Sequence, residues 1–302
     1  PTTSVHGSGM YYANVGKMEN KGVEFSLQAS LLRTRNFEWI VGGNIAKSTA
    51  KLKALGGEKQ VILDGNYNGM QLVNRVGESP YQFYGYQADG VFSTQAEADE
   101  AALVNRTGRS YSAGDVRFVD QNGDHRIDDK DRVLLGSASP DYFGGFYTQL
   151  KYKGLALSAE FSYSKGNMAY NAVRQQLESM STTNNQSLSV LNRWTVDGQK
   201  TDVPRARWKD PVGNSYFSSR WIEDASYLRL KNVTLSYTFS KTVWNFFRSG
   251  TLYVTGENLL TFTDYLGMDP EFSSSYSENV QGLDYGKLMQ PKTVKVGVNL
   301  KF

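Results

Sequence analysis

The stretch TVKVGVNLKF (293–302) alternates apolar and polar side chains without a break. Because side chains of a β-strand point alternately to its two faces, this pattern predicts a strand with one apolar and one polar face. The alternation runs into a terminal aromatic residue, so we expect the end itself to have a function. The apolar positions are Val294, Val296, Val298, Leu300 and Phe302.

Six other segments follow the same period of two. In residues 226–239 the apolar positions change parity between Leu230 and Val233, which predicts a β-bulge. Lys153 and Gly154 are placed to join two of the segments as a hairpin. The sequence therefore predicts an all-β protein with about seven long strands. The other segments are 21–32, 37–47, 143–152, 155–164 and 251–262.

Short and long connections alternate between these strands. The short ones are 33–36, the Lys153-Gly154 turn and 240–250; the long ones, about 52–142, 166–225 and 263–291, are rich in Tyr, Asn, Ser, Asp and Gly. This alternation is typical of transmembrane antiparallel β-barrels of the outer membrane, whose apolar faces meet lipid and whose polar faces line a wet lumen. Seven strands that begin at the long-connection end cannot close alone, so we expect one part of a larger wall. The turn 240–250 contains Val243, Trp244, Phe246 and Phe247 and is predicted to anchor at the membrane interface.

Composition excludes several other classes of protein. Among 302 residues, 33 Lys and Arg balance 30 Asp and Glu to a net charge of +3, with no basic run, so the sequence does not indicate a nucleic-acid surface. The absence of cysteine excludes disulfides and thiolate metal sites. No run of 18 apolar residues predicts a transmembrane helix.

Catalytic arrangements find little support. The chain has two histidines, His6 and His125, which gives a Ser-His-Asp or Cys-His site no clear basis. Glu223 and Asp224 are candidates for a glycosidase pair, but adjacent residues of a strand point to opposite faces. We therefore predict that the protein is not an enzyme.

Four motifs, in order along the chain, carry a family resemblance. They are NVGKMENKGVEFSL (14–27), GDVRFVDQNGDHRIDDKDRVLLG (114–136), RWIEDASYLRLKNVTLSYTF (220–239) and LYVTGENLLTFTDYLGMDPE (252–271). Together with the terminal Phe302 they resemble the C-terminal part of SusC/RagA-type TonB-dependent outer-membrane transporters. The resemblance extends over almost all of residues 1–302.

This resemblance implies a fold, a function and partners. The family forms a 22-stranded barrel closed by an N-terminal plug, and residues 1–302 would supply about its last seven strands. It imports oligosaccharides or peptides across the bacterial outer membrane with energy passed through TonB, and a SusD-like surface lipoprotein caps the barrel. The signal, TonB box and plug are not in these residues. Phe302 resembles the C-terminal strand signal that the barrel assembly machinery recognises.

The segment DQNGDHRIDDKD (120–131) has the spacing of a calcium loop. An EF-type loop places oxygen ligands at relative positions 1, 3, 5, 7, 9 and 12. His125 stands where such loops have glycine, and the final ligand is Asp instead of Glu. A metal-free turn stabilised by Asp and Asn side chains explains the same residues, so both interpretations stay open. The candidate ligands are Asp120, Asn122, Asp124, the Arg126 carbonyl, Asp128 and Asp131.

Aromatic residues gather in the long connections. Flat amphipathic rings can stack on sugars or peptides, but packing within the loops or an interfacial girdle is the expectation for most of them. The substrate-binding candidates are Trp194, Trp208, Tyr216 and Trp221; the other two groups are Tyr81, Phe83, Tyr84 and Tyr86, and Tyr265, Tyr276 and Tyr285.

The predicted calcium loop and the aromatic residues, taken alone, also fit another class of protein. They are compatible with a secreted, calcium-stabilised, carbohydrate-binding β-protein, which would be soluble without detergent. Calcium is the only cofactor that the sequence suggests. The order of the four motifs favours the transporter.

Overall fold

The computed structural model describes residues 16–65, 67–240, 248–271 and 280–302. Its strands are, in chain order, β1 (Gly16–Arg33), β2 (Phe37–Leu55), β3 (Gln60–Asp64), β4 (Gln71–Arg75), β5 (Gln82–Tyr86), β6 (Ala88–Val91), β7 (Val104–Asn105), β8 (Val116–Phe118), β9 (Arg126–Ile127), β10 (Arg132–Ser137), β11 (Tyr142–Tyr152), β12 (Leu155–Lys165), β13 (Met168–Asn171), β14 (Ile222–Asp224), β15 (Tyr227–Ser240), β16 (Ser249–Thr263), β17 (Leu283–Asp284) and β18 (Thr293–Lys301). The described helices include α1 (Gln95–Ala101) and α2 (Ala172–Glu178), together with short 3-10 turns at Asp129–Asp131 and Leu188–Asn192. Across these ranges, no helix has the length and apolar character needed to span a membrane.

Seven long strands form one antiparallel sheet, here called the wall. Its order is β1-β2-β11-β12-β15-β16-β18, so each strand pairs with the next long strand along the chain. This confirms the predicted all-β fold and the seven predicted strands. β1 and β2 have 18 and 19 residues, whereas a tilted strand needs about 9–11 residues to cross a bilayer. Their hairpin therefore extends beyond a membrane's thickness.

The two faces of the wall differ in polarity as the alternation predicts. Phe25 and Val296 illustrate the apolar face: their side chains are 59% and 78% exposed. On the other face, Lys151 pairs with Glu38 at 3.2 Å across neighbouring strands. The apolar face has no covering layer in the described chain, which is the arrangement expected for a lipid-facing surface.

A β-bulge interrupts β15 where the parity change predicts it. Leu230 pairs with Phe161 and Asn232 pairs with Glu160, so Lys231 is left without a partner residue on β12. The register to β16 shifts between the same residues, Leu230 and Asn232. The bulge keeps apolar side chains on one face of the wall along all of β15, and the prediction is confirmed.

Glycines of the wall lie under aromatic rings of the adjacent strand. Tyr147 pairs with Gly42, and its Cε1 lies 2.5 Å from where a Cβ of residue 42 would be. Tyr253 covers Gly297 in the same way, with its Cζ at 2.3 Å from that position. Glycine leaves room for the ring at both positions, and a larger residue there would require the tyrosine side chain to move.

The long connections pack together into one unit, here called the loop assembly (described residues within 56–141, 166–226 and 264–292). The predicted bounds of the long connections lie within a few residues of the ends of the wall strands; these bounds were 52–142, 166–225 and 263–291. The assembly contains small sheets: β3, β4, β5 and β10 form one, and β13 joins β14 and the parallel β17 from the third connection. Regular structure therefore continues through segments whose composition suggested only polar loops.

Two apolar cores stabilise the loop assembly. The first takes residues from all three connections, and the second joins the first connection to Val212 of the second. Helix α1 borders the second core and begins at Thr94, whose side chain accepts a hydrogen bond from the Glu97 backbone N–H. The first core consists of Met70, Leu72, Phe83, Tyr170, Ala172, Phe217, Trp221, Ile222, Val280 and Leu283.

Candidate functional site

The four aromatic substrate candidates do not surround one cavity. Trp221 is 1% exposed, lies in the first core and donates its indole N–H to the Tyr216 carbonyl. Trp194 is half-buried and donates to the Ser93 carbonyl at 3.0 Å, whereas Trp208 is 61% exposed. Of the four, only Tyr216 lines a cleft. Trp221 therefore stabilises the loops by packing and offers no ring face to a ligand.

The other aromatic groups are mainly packing residues, as expected for most of them. Phe83, Tyr84 and Tyr86 are buried in the loop assembly. Tyr265 is buried too, and its hydroxyl donates to the Asp284 carboxylate at 2.7 Å. Tyr285 is exposed, Tyr81 is half-buried, and Tyr276 lies outside the described residues.

The segment predicted to bind calcium is a turn organised by Asp120. One carboxylate oxygen of Asp120 accepts the backbone N–H of Gly123 at 2.8 Å, and the other accepts that of His125 at 2.7 Å. His125 has a φ of +59°, the left-handed conformation that glycine adopts in such loops. Burial opposes ionisation of Asp120, but its backbone N–H donors outweigh burial and hold its pKa below the usual range.

The far end of this turn is closed by Asp131. Its buried carboxylate accepts the backbone N–H groups of Gln121 and Asp128, at 2.9 and 2.8 Å. Burial raises the pKa of Asp131, against these two hydrogen bonds. Asp128 in turn caps the following 3-10 turn through the Lys130 N–H. The carboxylates at both ends of the segment therefore already stabilise its backbone.

The remaining predicted ligands are also engaged within the turn. Asn122 donates to Asp124 at 2.9 Å, Asp124 accepts the Arg126 backbone N–H at 3.0 Å, and Arg126 belongs to β9. Within the described ranges, no three Asp, Glu or His side chains converge in a metal-binding group. A metal-free turn accounts for these hydrogen bonds. Since a carboxylate has about four lone-pair positions, calcium at this segment stays a prediction.

Two buried charge networks connect the long connections, and the sequence analysis did not find either of them. Asp115 is fully buried and accepts from Arg205 at 3.1 Å and Arg207 at 2.7 Å, which joins the first connection to the second. Nothing in the spacing of these residues indicated their contact, because 90 residues separate Asp115 from Arg205.

The second network joins the wall to the third connection. Arg229 of β15 is 3% exposed and donates to the buried Asp269, and it also meets Glu271 at 3.2 Å. Burial opposes ionisation of Asp269, but the Arg229 hydrogen bond lowers its pKa below the usual range. The motif 252–271 contained both acids, but their partner could be identified only from the structure.

Glu223 and Asp224 lie on opposite sides of β14, as predicted. Glu223 accepts from Arg174 at 2.9 Å, whereas Asp224 accepts from Lys165 at 3.1 Å. Each carboxylate is held by its own cation. The two therefore do not face one substrate position as a glycosidase pair would.

A polar cleft of about 420 Å³ lies between the first and second connections. Tyr216, Arg106 and Arg132 line it together with amide and hydroxyl side chains. The arginines were not among the sequence candidates. Arg132 lies within the quoted motif 114–136, but no periodicity singles out either guanidinium.

Phe302 lies at the end of the apolar face of the wall. Its side chain is 76% exposed, and it has the same parity as Val294, Val296 and Val298 of β18. The proposed interfacial anchor in the turn 240–250 cannot be compared in the same way. Its aromatic and apolar residues, Val243, Trp244, Phe246 and Phe247, lie outside the described residues.

Comparison with known proteins gives matches over the whole chain. TonB-dependent receptor P3 of Formosa agariphila is 31% identical over 315 residues, covering 100% of this chain and 30% of the relative. TonB-dependent receptor P26 of the same organism is 33% identical over 298 residues, and TonB-dependent receptor SusC of Bacteroides thetaiotaomicron is 26% identical over 301 residues; each match covers 96% of this chain. The chain thus spans about 30% of the length of these curated relatives. No protein-family model matches it.

Solved structures match in the same proportion. The RagAB peptide transporter aligns with a TM-score of 0.76 and 25% identity, covering 100% of this chain and 31% of that one. The open-open state of the RagAB peptide importer aligns with a TM-score of 0.79 at 24% identity, which shows the same fold. The wall and the loop assembly together therefore have the architecture of one part of that barrel.

Proposed function

Because the chain belongs to the SusC/RagA type of TonB-dependent receptor, we propose that it forms part of an importer for oligosaccharides or peptides. Proteins of this type are outer-membrane β-barrels of bacteria. The seven strands supply a section of the barrel wall, and the loop assembly forms the entrance on one side.

One observation carries this proposal: the two faces of the wall require different solvents. Large apolar side chains such as Phe25, Leu252 and Val296 are about half or more exposed along one face. A secreted, water-soluble β-protein would expose this apolar face to water, whereas soluble monomers rarely expose contiguous apolar patches larger than a few hundred Å². Lipid covers it without cost, while the polar face lines the path of a hydrated substrate.

We also propose the partners that the family resemblance implies. The complete protein would take energy from TonB through a part of the protein outside these residues, and a SusD-like surface lipoprotein would close the entrance. The loop assembly supports this arrangement, because its packed cores provide a firm surface instead of mobile loops.

Uptake by cells tests the proposal. A strain lacking the full-length gene is compared with the complemented strain, using labelled oligosaccharide and peptide mixtures and outer-membrane fractions. We expect the protein in the outer-membrane fraction, co-purification of a lipoprotein, and uptake that stops when the proton gradient is collapsed. A protein recovered without detergent, or uptake that is equal in the two strains, would contradict it and favour the secreted binding protein.

A further inference from the structure

The polar cleft of the loop assembly has an unusual charge balance. Fourteen described residues line it, and they include Arg106, Arg132 and four side-chain amides but no Asp or Glu. A cleft that served only as a gap between loops would have no reason to exclude carboxylates. The cleft is lined by donors, and its chemistry therefore favours an electron-rich ligand.

Arg132 already has partners. Its Nε donates to Asp129 at 3.0 Å, its Nη1 donates to Gln71 at 2.6 Å, and its guanidinium lies 4.9 Å from the centre of the Tyr86 ring. The charge of Arg132 is thus compensated within the protein. At the cleft, Arg132 supports the side that Tyr86 forms.

Arg106 is different, because it makes no ion pair with an acidic residue of the described chain. Its guanidinium lies over the Tyr216 ring at 5.6 Å. Tyr216 in turn contacts the rings of Tyr86 and Phe118, which belong to the second core. The core therefore fixes the platform on which this cation rests.

The turn that carries Arg106 is held in place from below. Asn105 is 1% exposed, and its side-chain oxygen accepts the backbone N–H groups of Thr107 and Arg109, each at 3.0 Å. Its amide donates to the Pro211 carbonyl across the two connections. The backbone that carries Arg106 is consequently held in place before any ligand binds, which lowers the entropy cost of binding.

Tyr86 forms one side of the cleft. Its side chain is 3% exposed, and its hydroxyl is close to the Arg132 guanidinium, which acts on it by charge and by a hydrogen bond. Burial raises the pKa of Tyr86, against the effect of Arg132, so the hydroxyl keeps its proton.

We propose that this cleft binds a carboxylate group of the imported molecule, with Arg106 as the residue that selects for the negative charge. The inference rests on the proposed import function. A guanidinium recognises a carboxylate through two parallel hydrogen bonds, and no other charge in the cleft competes for it. The carboxylate belongs either to an acidic sugar or to a peptide, and the Tyr216 ring, already covered by Arg106, is not the selecting element.

Binding to the purified full-length protein tests this proposal. Two matched ligand pairs are measured by calorimetry: a galacturonate trisaccharide against its neutral galactose counterpart, and an acidic peptide against the same peptide with amide side chains and an amidated end. The variants are Arg106→Ala, Arg106→Lys and, as control, Arg109→Ala. Arg109 is an exposed arginine of the same turn that does not line the cleft.

The wild type should bind one carboxylate ligand better than its neutral counterpart. Arg106→Ala should weaken that ligand about tenfold or more, the effect of one charge-assisted hydrogen bond, and leave the neutral one unchanged. Arg106→Lys should retain part of the preference, and Arg109→Ala should retain all of it. Whichever ligand pair responds identifies the carboxylate's source.

Three results would overturn the proposal: no binding of either carboxylate ligand, equal binding of charged and neutral ligands, or equal losses in the Arg106 and Arg109 variants. Uptake by cells separates this inference from the proposed function. If cells that carry Arg106→Ala import the ligand as the wild type does, the cleft assignment is wrong and the import function stands. If the purified protein binds the carboxylate ligand but cells import nothing, the import function is wrong and the cleft assignment stands.

Discussion

The wall and the loop assembly use the same kinds of residue in opposite ways. Phe25 of the wall is 59% exposed, whereas Phe83 of the loop assembly is completely buried. The wall carries a polar network such as Lys151–Glu38 on its inner face, and the loop assembly buries Asp115 beneath two arginines. The wall has its apolar residues on the outside, as a membrane protein does, whereas the loop assembly has them inside, as a soluble domain does.

This difference teaches that the two regions depend on different forces. In the wall, hydrogen bonds between strands and contact with lipid provide stability, because the apolar face gains nothing from burial within the protein. In the loop assembly, removal of apolar side chains from water is the main contribution. Damage to the loop assembly should therefore leave the wall folded, and the following variants test the two regions separately.

The largest effect is expected for Trp221→Ala. Removing this fully buried ring should destabilise the loop assembly by about 3–5 kcal/mol, since it leaves a large cavity in the first core. Protease cleavage in the long connections should increase strongly, while heat-modifiable gel migration of the barrel stays normal. Trp208→Ala, at a ring that is 61% exposed, is the matched control and should resemble the wild type. Loss of the folded barrel in Trp221→Ala would end the separation of the two regions.

The second effect concerns two neighbouring residues of β12. Phe161→Arg places a charge on the lipid face and should cost about 2–4 kcal/mol near the middle of the bilayer, whereas Glu160→Arg, at an exposed position of the opposite face, should be tolerated. Assembly in the outer membrane is the measurement. Phe161→Ala controls for loss of the ring.

Single-cysteine labelling sharpens this test along residues 155–164, since these 302 residues contain no cysteine. Odd positions should be shielded by lipid or detergent, and even positions should react with a water-soluble reagent unless the plug blocks the lumen. Reactivity without a period of two would refute the transmembrane assignment of β12.

A smaller effect is expected in the turn 120–131 of the loop assembly. Replacing both Asp120 and Asp124 by Ala should cost about 1–2 kcal/mol locally, because backbone N–H groups lose their acceptors. It should also abolish the calcium that the spacing predicts, measured by elemental analysis, with the barrel still folded. Glu100→Ala on α1 serves as control. A wild-type protein without calcium, or with the same content as the double variant, makes the segment a plain turn.

The smallest effect on the folded protein is expected at Phe302. Deleting it from the full-length protein should reduce the amount assembled, because Phe302, the residue after β18, is predicted to be read by the assembly machinery. Transport per assembled molecule should not change, since the exposed side chain belongs to the lipid face. Normal amounts at the cell surface would speak against an assembly signal.

The wall could be predicted from the sequence because its rule is local. A strand with different media on its two faces must alternate, and this rule located seven strands and the bulge after Leu230 without knowledge of any partner. The loop assembly follows no such rule. Its cores combine short segments from three connections, such as Leu72, Trp221 and Leu283, which become neighbours only after the wall has brought the connections together.

The same reasoning explains what was missed at the candidate site. Aromatic content pointed to Trp194 and Trp221, but the number of rings in a segment does not tell which of them are buried. Arg106 is one of many charged residues in a polar connection, and its position over Tyr216 depends on a core shared between two connections. Oxygen spacing pointed to the turn at Asp120, but spacing alone does not distinguish an ion from the backbone N–H groups that Asp120 accepts.

The glycines beneath aromatic rings constrain how the sequence of this protein can evolve. Gly42 and Tyr147 are far apart in the chain but occupy one volume of the wall. A larger residue at position 42 requires the Tyr147 ring to move or to be lost, so changes at the two positions should be coupled. Gly297 and Tyr253 form a second such pair. The inner surface of the wall should thus diversify in coupled steps, more slowly than the entrance above it.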